Sequence, residues 1–295
     1  MKPPRFKYHD PATLEEALGL LAHYGDEAKI LAGGQSLMPM LNFRLARPAN
    51  LIDANGIGDL SAVEDGAANG GIALGAMVRQ RALERSELVF ERCPLIAQAL
   101  PYVGHPQIRN RGTLGGSLAH ADPAAELPAV MVAADASFTV KKSGGARVVA
   151  AEDFFVGQLT TVLESDEMLV RIDLPAWPER TGSSLQEVAM RLGDFALGGV
   201  ATTLTLGPDG RVSRARIVCF GVGGRPLRQT EAEQSLEGAT PGDAAFAEAG
   251  RIVTARVEPT NDIHASASYR KRLAGILTRR ALAAAHTRIR EVVAA

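Results

Sequence analysis

The sequence predicts an α+β protein of two domains. Its 295 residues suit about two domains of roughly 150 residues each. Short apolar runs bounded by glycines alternate along the chain with amphipathic, helix-like stretches. Pro175-Ala176-Trp177-Pro178 and the polar residues up to Ser184 interrupt both patterns. We therefore expect one domain over residues 1–177 and a second, smaller one over 178–295.

The first elements are a helix and a buried strand. Thr13 and Glu16 have the capping-box spacing, and Leu14, Ala17, Leu18 and Leu21 recur at helical spacing until Gly25, a typical stop. Lys29 to Ala32 then reads as a strand that runs directly into Gly33-Gly34. The order predicted is helix, strand, glycine loop.

The rest of the first domain continues this alternation. Glycines divide Leu51 to Leu74 into short strands, and a helical pattern covers about Arg81 to Leu100. Asp122-Pro123 follows a second glycine segment and predicts a helix start, because proline is favoured in the first helical turn. Ala133 to Val149, with Ser143-Gly144-Gly145 in the middle, predicts a hairpin.

The second domain should contain strands followed by two helices. Val200 to Leu206 and Ala215 to Phe220 flank a Pro208-Asp209-Gly210 turn, and helical patterns cover about Thr240 to Ala255 and Ser266 to Ala285. The last helix is rich in arginine and lysine and carries an apolar stripe. We expect it to dock on its own domain with a solvated basic face; the alternative is a docking face for a partner subunit.

Composition and cysteine content exclude several function classes. With 32 basic and 33 acidic residues the net charge is −1, and one Trp, four Tyr and nine Phe are few for stacking bases, so we expect no nucleic-acid partner. Two isolated cysteines, Cys93 and Cys219, cannot form a four-cysteine zinc or iron–sulfur site, and the histidines lack metal-ligand spacing. The first residues lack the apolar run of a signal peptide, and no stretch of ~20 apolar residues occurs. We expect a cytoplasmic protein with no integral membrane segment.

Two glycine loops are the strongest candidates for a binding site. Each joins a Gly-Gly pair to hydroxyl residues: Ala32-Gly33-Gly34-Gln35-Ser36 and Thr113-Leu114-Gly115-Gly116-Ser117. Neither matches a P-loop, and Gly221-Val222-Gly223-Gly224-Arg225-Pro226 has proline where a Rossmann motif needs its third glycine. Paired glycines let successive amides converge on an anion, so two such loops could grip one pyrophosphate from both sides. The alternative is that each Gly-Gly pair is simply a turn.

The same two loops carry a resemblance to a known family. Ala32-Gly33-Gly34-Gln35-Ser36-Leu37-Met38-Pro39 and the run from Arg111 through Gly115-Gly116 to Asp122-Pro123 and Glu126 look like the paired FAD motifs of the medium subunit of molybdenum hydroxylases. That family includes carbon monoxide dehydrogenase, xanthine dehydrogenase and bacterial N-heterocycle dehydrogenases. Three segments of the second domain also resemble it: Arg191 to Ala196, Gly221 to Pro226 and Asp262 to Arg270.

The resemblance implies a p-cresol-methylhydroxylase-type FAD-binding domain, followed by a smaller domain of a three-stranded sheet with helices. It implies non-covalent FAD, with the pyrophosphate on the two loops, the adenine beside the strand before the first loop, and the flavin near Asp122, Val103, Leu169 and Phe195. The cofactor contacts implied are Lys29, Ile30, Leu31, Ala32, Gly33, Gly34, Gln35, Ser36, Val103, Thr113, Gly115, Gly116, Ser117, Asp122, Leu169 and Phe195.

The resemblance also implies a division of labour between subunits. Substrate would be oxidised at a molybdenum–pterin cofactor in a large subunit, and electrons would cross two-iron two-sulfur clusters in a small subunit to reach FAD here and leave to an external acceptor. The complex would be a dimer of heterotrimers. No residue of this chain is expected to be catalytic or to bind a metal.

Two alternatives remain open at the level of sequence. One is a stand-alone FAD-dependent oxidoreductase of the same fold, and the other is a non-catalytic assembly subunit. Asp122 could be only a helix cap and Phe195 only a core residue. His120, beside the second loop, is expected to be a packed or solvent-facing side chain rather than a proton donor. Met190 stands where many relatives carry Arg or Lys, a departure that could tune the flavin.

Overall fold

The computed structural model describes residues 2–66 and 70–294, with side chains up to residue 289. A small parallel sheet comes first, with β1 (Lys7–His9), β2 (Ala28–Leu31) and β3 (Asn50–Asp53) in the order β1-β3-β2. Helix α1 (Leu14–Tyr24) lies between β1 and β2, and α2 (Leu37–Asn42) follows the first glycine loop. The predicted order of helix, strand and glycine loop is confirmed.

The start of α1 confirms the predicted cap, with one change of partner. The Glu16 amide donates to the Thr13 hydroxyl at 3.2 Å, but the Glu16 carboxylate accepts from the amide of Ala12 (2.8 Å). Ala17, Leu18 and Leu21 are buried, and Gly25 ends the helix at φ +50. The buried stripe fixes α1 in a core cluster that also contains Ile52 from β3.

A five-stranded antiparallel sheet forms the rest of the first domain, in the order β4-β5-β10-β6-β7. Its strands are β4 (Val63–Asp65), β5 (Ile72–Gly75), β6 (Ser137–Lys142), β7 (Gly145–Ala150) and β10 (Met168–Leu174). The β6–β7 hairpin turns at Ser143-Gly144, as predicted. The two-stranded β8 (Phe155–Gly157) and β9 (Thr160–Thr161) form a separate ribbon.

Short helices connect these strands. They are α3 (Gln80–Leu83), α4 (Glu87–Arg92), α5 (Pro94–Ala99), α6 (Pro106–Arg109), α7 (Leu114–His120), α8 (Glu126–Ala133) and α9 (Ala151–Phe154). The predicted helical stretch from Arg81 to Leu100 is thus divided, because Ser86 caps α4 and Cys93-Pro94 ends it.

The helix predicted to start at Asp122-Pro123 is wrong in its start point. Ala121 ends α7 in the left-handed region (φ +52), and Asp122 Oδ1 accepts from the Ala124 amide at 2.8 Å, closing a turn. Helix α8 begins only at Glu126. Asp122 therefore stabilises a turn between two helices rather than capping a helix.

The second domain is a four-stranded antiparallel sheet covered by helices. Strands β11 (Thr181–Ala189), β12 (Ala196–Leu206) and β13 (Val212–Phe220) are the three long strands expected, and the two-residue β14 (Leu227–Arg228) adds an edge. Helices α10 (Thr230–Leu236), α11 (Asp243–Arg256) and α12 (Ala267–Ala294) follow, and the last extends beyond the predicted end. Helix α12 packs on α11, β11 and β12.

One core cluster spans both halves of the chain. Leu185, Ala196, Ala201, Val218 and Phe220 from the second sheet are buried in the same cluster as the first domain's helices and five-stranded sheet. Helices α5 and α8 make this contact from the first domain. A second cluster lies on the opposite face of the sheet, under α11 and α12. The sheet of the second domain is therefore buried on both faces.

Within residues 2–66 and 70–294, no helix is long and apolar enough to cross a lipid bilayer.

Candidate functional site

The two predicted glycine loops lie against each other. A Cβ placed on Gly33 would be 2.5 Å from the Arg111 carbonyl oxygen and 2.7 Å from Gly112 Cα, so only glycine allows this approach. The loops also meet at Ala32, whose Cβ would lie 3.3 Å from a Cβ on Gly116. Segments about 80 residues apart in the sequence thus form one surface, at the carboxyl end of β2.

The first loop presents open backbone amides. Gly34 has φ +72, and among the residues the structure describes no carbonyl accepts a hydrogen bond from the amides of Gly33, Gly34 or Gln35. The Gly34 carbonyl instead accepts from Met38 at 3.0 Å, and the Gln35 side chain donates to the Gly33 carbonyl at 3.1 Å. An anion bound here would accept hydrogen bonds from backbone amides that have no other hydrogen bond to break.

The second loop has already used its amides. Leu114 donates to Val78 (3.0 Å), Gly115 to the Ala76 carbonyl (2.7 Å) and Gly116 to the Thr113 hydroxyl (3.1 Å). A Cβ on Gly115 would lie 2.5 Å from that of Ala76, so this glycine serves packing. The expectation that both loops offer amides to an anion is therefore narrowed to the first loop. The second loop contributes close backbone packing, and its hydroxyl groups are Thr113, 2% exposed, and the half-buried Ser117.

A polar cavity of about 440 Å³ opens beside the first loop. Its lining includes residues 31–35 and the polar side chains Asn42, Asp53, Asn55 and Arg111. A pyrophosphate fits this donor set, because residues with open amides and an arginine line the same cavity.

Ordered hydrogen bonds hold the polar side of this cavity. Tyr8 donates to Asp53 at 2.6 Å, and Asn55 donates to the Ala32 carbonyl at 2.9 Å. Arg79 donates to Asn55 Oδ1 at 2.5 Å and also to the Arg111 carbonyl. The network ties both glycine loops to the end of β3.

Two ionisable groups in this network have shifted pKa values. Burial acts to raise the pKa of Asp53, but hydrogen bonds from Tyr8 and Asn55 outweigh it, so its pKa lies below the ordinary value. Burial and then the charge of Arg111 lower the pKa of Arg79. Two guanidinium groups near each other favour an anion in the adjoining cavity.

The sequence did not single out Asp53, Asn55, Arg79 or Arg111 as site residues. Asp53 and Asn55 could have been found, because they end a strand of a parallel sheet, where ligand sites gather. Arg79 carries no comparable signal. It reaches the site through an isolated bridge between Arg79 and Thr113 that no local pattern predicts.

The residues predicted beside the adenine lie on β2. Lys29 is exposed, Ile30 packs on the core cluster of α1, and Leu31 lines the cavity. Ser36 is exposed at the start of α2 and makes no capping hydrogen bond there. Of these four residues, Leu31 is the one that lines the cavity.

Three of the remaining predicted contacts, Val103, Asp122 and Phe195, lie close to contacts between the two domains. A Cβ on Gly193 would lie 2.7 Å from the Gly104 carbonyl oxygen, which brings the loop of Phe195 beside Val103. Phe195 is 70% exposed, so it is not a core residue, whereas Leu169 is 4% exposed and packs in the core that Val103 borders. Asp122 is half-buried in its turn.

Helix α7 connects the two groups. It begins at the second glycine loop and ends next to Asp122, and its seven residues span about 10 Å. The loops and the junction are thus held apart by a fixed spacer.

A buried arginine orders the segment before the second loop. Arg109, 6% exposed, donates to the carbonyls of Val103 and Gly104 (3.1 Å each) and pairs with Glu84 at 3.1 Å. Burial acts to raise the pKa of Glu84, but its bonds to Arg109 and Arg81 lower it. The pair fixes Gly104, at φ +50, under Gly193.

Two carboxyl groups, those of the buried Glu126 and the half-buried Glu187, interact electrostatically across the contact between the two domains. Burial raises the pKa of Glu126 to about 7, with a further contribution from Asp122, and burial followed by Glu126 raises that of Glu187 to about 8. Among the described residues, no partner bonds to Glu187 Oε2. At neutral pH this pair holds at least one proton.

Within the part of the chain that the structure describes, no group of three or more His, Cys, Asp and Glu side chains could hold a metal ion. Cys93 and Cys219 are buried and unpaired with each other, and burial raises both pKa values to about 12. Both are neutral thiols inside the core. His120, half-buried at the end of α7, lies next to the junction.

Comparison with known proteins identifies two family domains, which together cover most of the chain. Residues 4–177 match the model of the FAD binding domain in molybdopterin dehydrogenase, and residues 183–285 match the CO dehydrogenase flavoprotein C-terminal domain.

Three relatives illustrate the match. The chain is 40% identical over 290 residues to the 6-hydroxypseudooxynicotine dehydrogenase complex subunit alpha of Paenarthrobacter nicotinovorans, covering 98% of this chain and 97% of that one. It is 41% identical to the caffeine dehydrogenase subunit beta of Pseudomonas sp. strain CBB1, with the same coverage. A solved carbon monoxide dehydrogenase from Hydrogenophaga pseudoflava superposes with a TM-score of 0.94 at 38% identity, covering 98% of this chain and 99% of that chain.

Proposed function

Because the chain belongs to the family of FAD-binding medium subunits of molybdenum hydroxylases, we propose that it is the electron exit of a multi-subunit dehydrogenase. In this role it receives electrons from two-iron two-sulfur clusters of a small partner subunit and passes them through FAD to an external acceptor. The substrate is oxidised at a molybdenum–pterin cofactor in a large subunit.

One observation carries the cofactor assignment. Gly33, Gly34 and Gln35, whose amides have no acceptor among the described residues, line a cavity that Arg111 also lines, and this donor set suits a pyrophosphate. When bound, FAD supplies reversible one- and two-electron transfer. The chain's own residues hold and orient it: Ala32 to Ser36 with Thr113 and Ser117 at the pyrophosphate, Lys29 to Leu31 at the adenine, and Val103, Asp122, Leu169 and Phe195 at the flavin. Gly115 allows the second loop to pack on Ala76, and Gly116 lies against Ala32 of the first loop.

The two cysteines of the chain support the division between subunits. Cys93 and Cys219 are buried neutral thiols at separate places in the core, so neither is presented as a cluster ligand. In this proposal the clusters and the molybdenum centre belong to partner chains. We propose a dimer of heterotrimers as the assembled form.

The substrate class follows from this division only in outline. Relatives of similar identity carry names that refer to a nicotine derivative, to caffeine and to carbon monoxide, and this chain resembles each of them over nearly its whole length. We propose an N-heterocycle, purine, aldehyde or carbon monoxide as substrate of the complex, chosen by the large subunit.

The test has two parts. The purified chain should bind FAD one to one, show flavin absorbance, and release the flavin on acid or heat treatment. Alone it should pass electrons from an artificial reductant to a dye but leave heterocycles, aldehydes and carbon monoxide unchanged. Co-expressed with a small iron–sulfur subunit and a large molybdenum subunit, it should co-purify with them and support substrate-dependent reduction of an acceptor.

Each alternative predicts a different result. A stand-alone oxidoreductase would turn over substrate with no molybdenum or iron present. An assembly subunit would remain colourless after incubation with FAD. Either result would overturn the electron-exit proposal.

A further inference from the structure

The segment from Asp262 to Arg270 has no role in the site described above. It resembles a motif of the family, yet it lies in the second domain, just before and within the first turn of α12. The basic residues of α12 were expected to be solvated, but Arg270 is only 7% exposed. A buried arginine needs a structural or functional reason.

The guanidinium of Arg270 binds two carbonyls from two separate strands. Its Nη1 donates to Leu197 O at 2.6 Å and to Gly221 O at 2.8 Å. Leu197 lies near the start of β12, two residues after Phe195, and Gly221 directly follows β13. One group therefore fixes the ends of two neighbouring strands at the domain junction.

Both carbonyls lead to residues predicted to face the flavin. The Gly221 amide donates to the Pro123 carbonyl at 2.8 Å, which attaches the turn of Asp122 to the second domain. Gly221 itself has φ +70, and a Cβ there would lie 2.9 Å from the Ala196 carbonyl oxygen. Two consecutive hydrogen bonds thus connect Arg270 to Pro123, the residue after Asp122, and Phe195 lies two residues along the backbone from Leu197.

Asp262 orients the guanidinium. Its Oδ2 accepts from Arg270 Nη2 at 2.6 Å, while its Oδ1 accepts from the amides of His264 (2.8 Å) and Ala265 (2.9 Å). Those amide bonds, followed by Arg270, lower the pKa of Asp262 to about 2. The carboxylate is therefore ionised and held in place by its own loop before it pairs with Arg270.

We propose that Arg270, oriented by Asp262, is a positioning residue that sets the places of Asp122 and Phe195 relative to the flavin. The inference rests on the proposed function, since it needs FAD at the junction. It deepens that function by assigning the second domain a part in tuning the cofactor that the first domain binds.

The experiment compares Arg270→Lys with a matched control, Arg279→Lys, in the full chain. Arg279 lies on the same helix and pairs with Asp243 through two bonds of 2.7 and 2.6 Å, but its side chain is 53% exposed and bonds to neither carbonyl. Both variants keep the positive charge and lose the planar fork. The measurements are the FAD dissociation constant, the visible circular dichroism and reduction potential of the flavin at saturating FAD, and the melting temperature of the apoprotein.

Arg270→Lys should weaken FAD about tenfold, equal to about 1.4 kcal/mol. It should also change the circular dichroism and potential of the flavin that remains bound, because Asp122 and Phe195 move. Arg279→Lys should leave all the flavin measurements unchanged. Asp262→Asn should act in the same direction as Arg270→Lys but more weakly, since the bonds to the two carbonyls remain.

Several results would overturn the proposal. If Arg270→Lys lowers only the melting temperature and leaves the flavin measurements at their original values, the arginine is merely structural. If Arg270→Lys does not fold, Asp262→Asn decides, and unchanged flavin dichroism and potential in that variant reject the positioning role. If the unaltered chain binds no FAD, the proposed function itself fails, and the inference fails with it.

Discussion

Gly33 and Gly34 are adjacent glycines that are required for different reasons. At Gly33 a Cβ would collide with the backbone of Arg111 and Gly112, so the residue is needed for the approach of the second loop. At Gly34 the nearest atoms would be side-chain carbons of Leu31 and Met38 at 3.3 Å, and the constraint is the backbone, at φ +72. Substitution at Gly34 therefore tests the amide conformation without forcing the loops apart.

Gly34→Ala should weaken FAD about tenfold or more, because the left-handed conformation becomes costly by about 1–2 kcal/mol and the amides turn away. The control is Gly210→Ala, at φ +78 with no atom within 4 Å of its Cβ. Both variants should lose similar stability, and only the first should lose affinity in a fluorescence titration. Equal FAD affinities for the two variants would show that Gly34 does not contribute to the FAD site.

Glu187 makes the stability of the chain depend on pH in an unusual direction. Its pKa in the folded chain is about 8, above the ordinary value of 4.5, and that of Glu126 is about 7. Folded molecules therefore bind more protons than unfolded ones between about pH 4.5 and pH 8. The stability that the protonated carboxyls provide is full below this window and is lost as the pH rises through it.

Glu187→Gln should reduce that loss, because an amide stays neutral. The free energy of unfolding of the original chain, measured by urea at pH 5 and pH 8.5, should fall more than that of the variant. Glu237→Gln, at an exposed position, should behave like the original chain. The prediction is wrong if the variant and the original chain lose equal stability between the two pH values.

The sequence predicted the backbone part of the site better than its side chains. The Gly-Gly pairs can be recognised from the local sequence, because the glycines themselves provide the amides and the close backbone approach. Arg79 could not be predicted, since its contact with Asn55 depends on a bridge between segments far apart in the chain. The contact roles of Asp122, Val103, Leu169 and Phe195 stay predictions.

Among the elements, the crossing of α11 and α12 depends most directly on glycine. A Cβ on Gly275 would lie 2.0 Å from Thr254 Oγ1, and one on Gly250 would lie 2.5 Å from the Gly275 carbonyl oxygen. The two helices therefore pack backbone to backbone, and the bond from the Thr254 hydroxyl to the Gly250 carbonyl (3.0 Å) lies in the contact. Such a crossing leaves no space for a methyl group.

Gly275→Ala should lower the free energy of unfolding by about 1–3 kcal/mol through overpacking. Gly19→Ala, in the middle of α1 with no atom within 4 Å, should instead raise it by about 0.5–1 kcal/mol, because alanine is the better helix former. Thermal melts of the two variants check both signs. If both substitutions change the melting temperature in the same direction, the space around the two glycines does not explain their effects.

Elements with their own capping and periodicity were predicted well, and the element that depends on its surroundings was not. Helix α1 begins where its capping box places it. The start of α8 was placed too early, because the left-handed Ala121 and the Asp122 turn occupy the residues that a cap would need. All eight residues of α8 are buried, so no amphipathic stripe marks its extent either.

At the scale of the whole molecule, the shared core couples FAD binding to both domains. Phe220, Val218 and Leu185 from the second sheet are buried with the helices of the first domain. We therefore expect one cooperative unfolding transition. FAD at about 100 times its dissociation constant should stabilise the folded chain by about 2.7 kcal/mol and shift that single transition upward.

Differential scanning calorimetry with and without FAD checks this expectation. Two separate transitions, of which FAD shifts only one, would show that the domains unfold independently and that the common core contributes little.

The burial of α8 on every side has a consequence for biosynthesis. Its apolar surface is covered by β12 and β13, which are translated well after it, at Ala196–Leu206 and Val212–Phe220. At about 5–20 residues per second, a nascent first domain leaves this helix uncovered for several seconds. During that time the chain exposes an apolar surface that a ribosome-associated chaperone would bind. A polypeptide truncated after residue 177 would therefore aggregate rather than form a small flavoprotein.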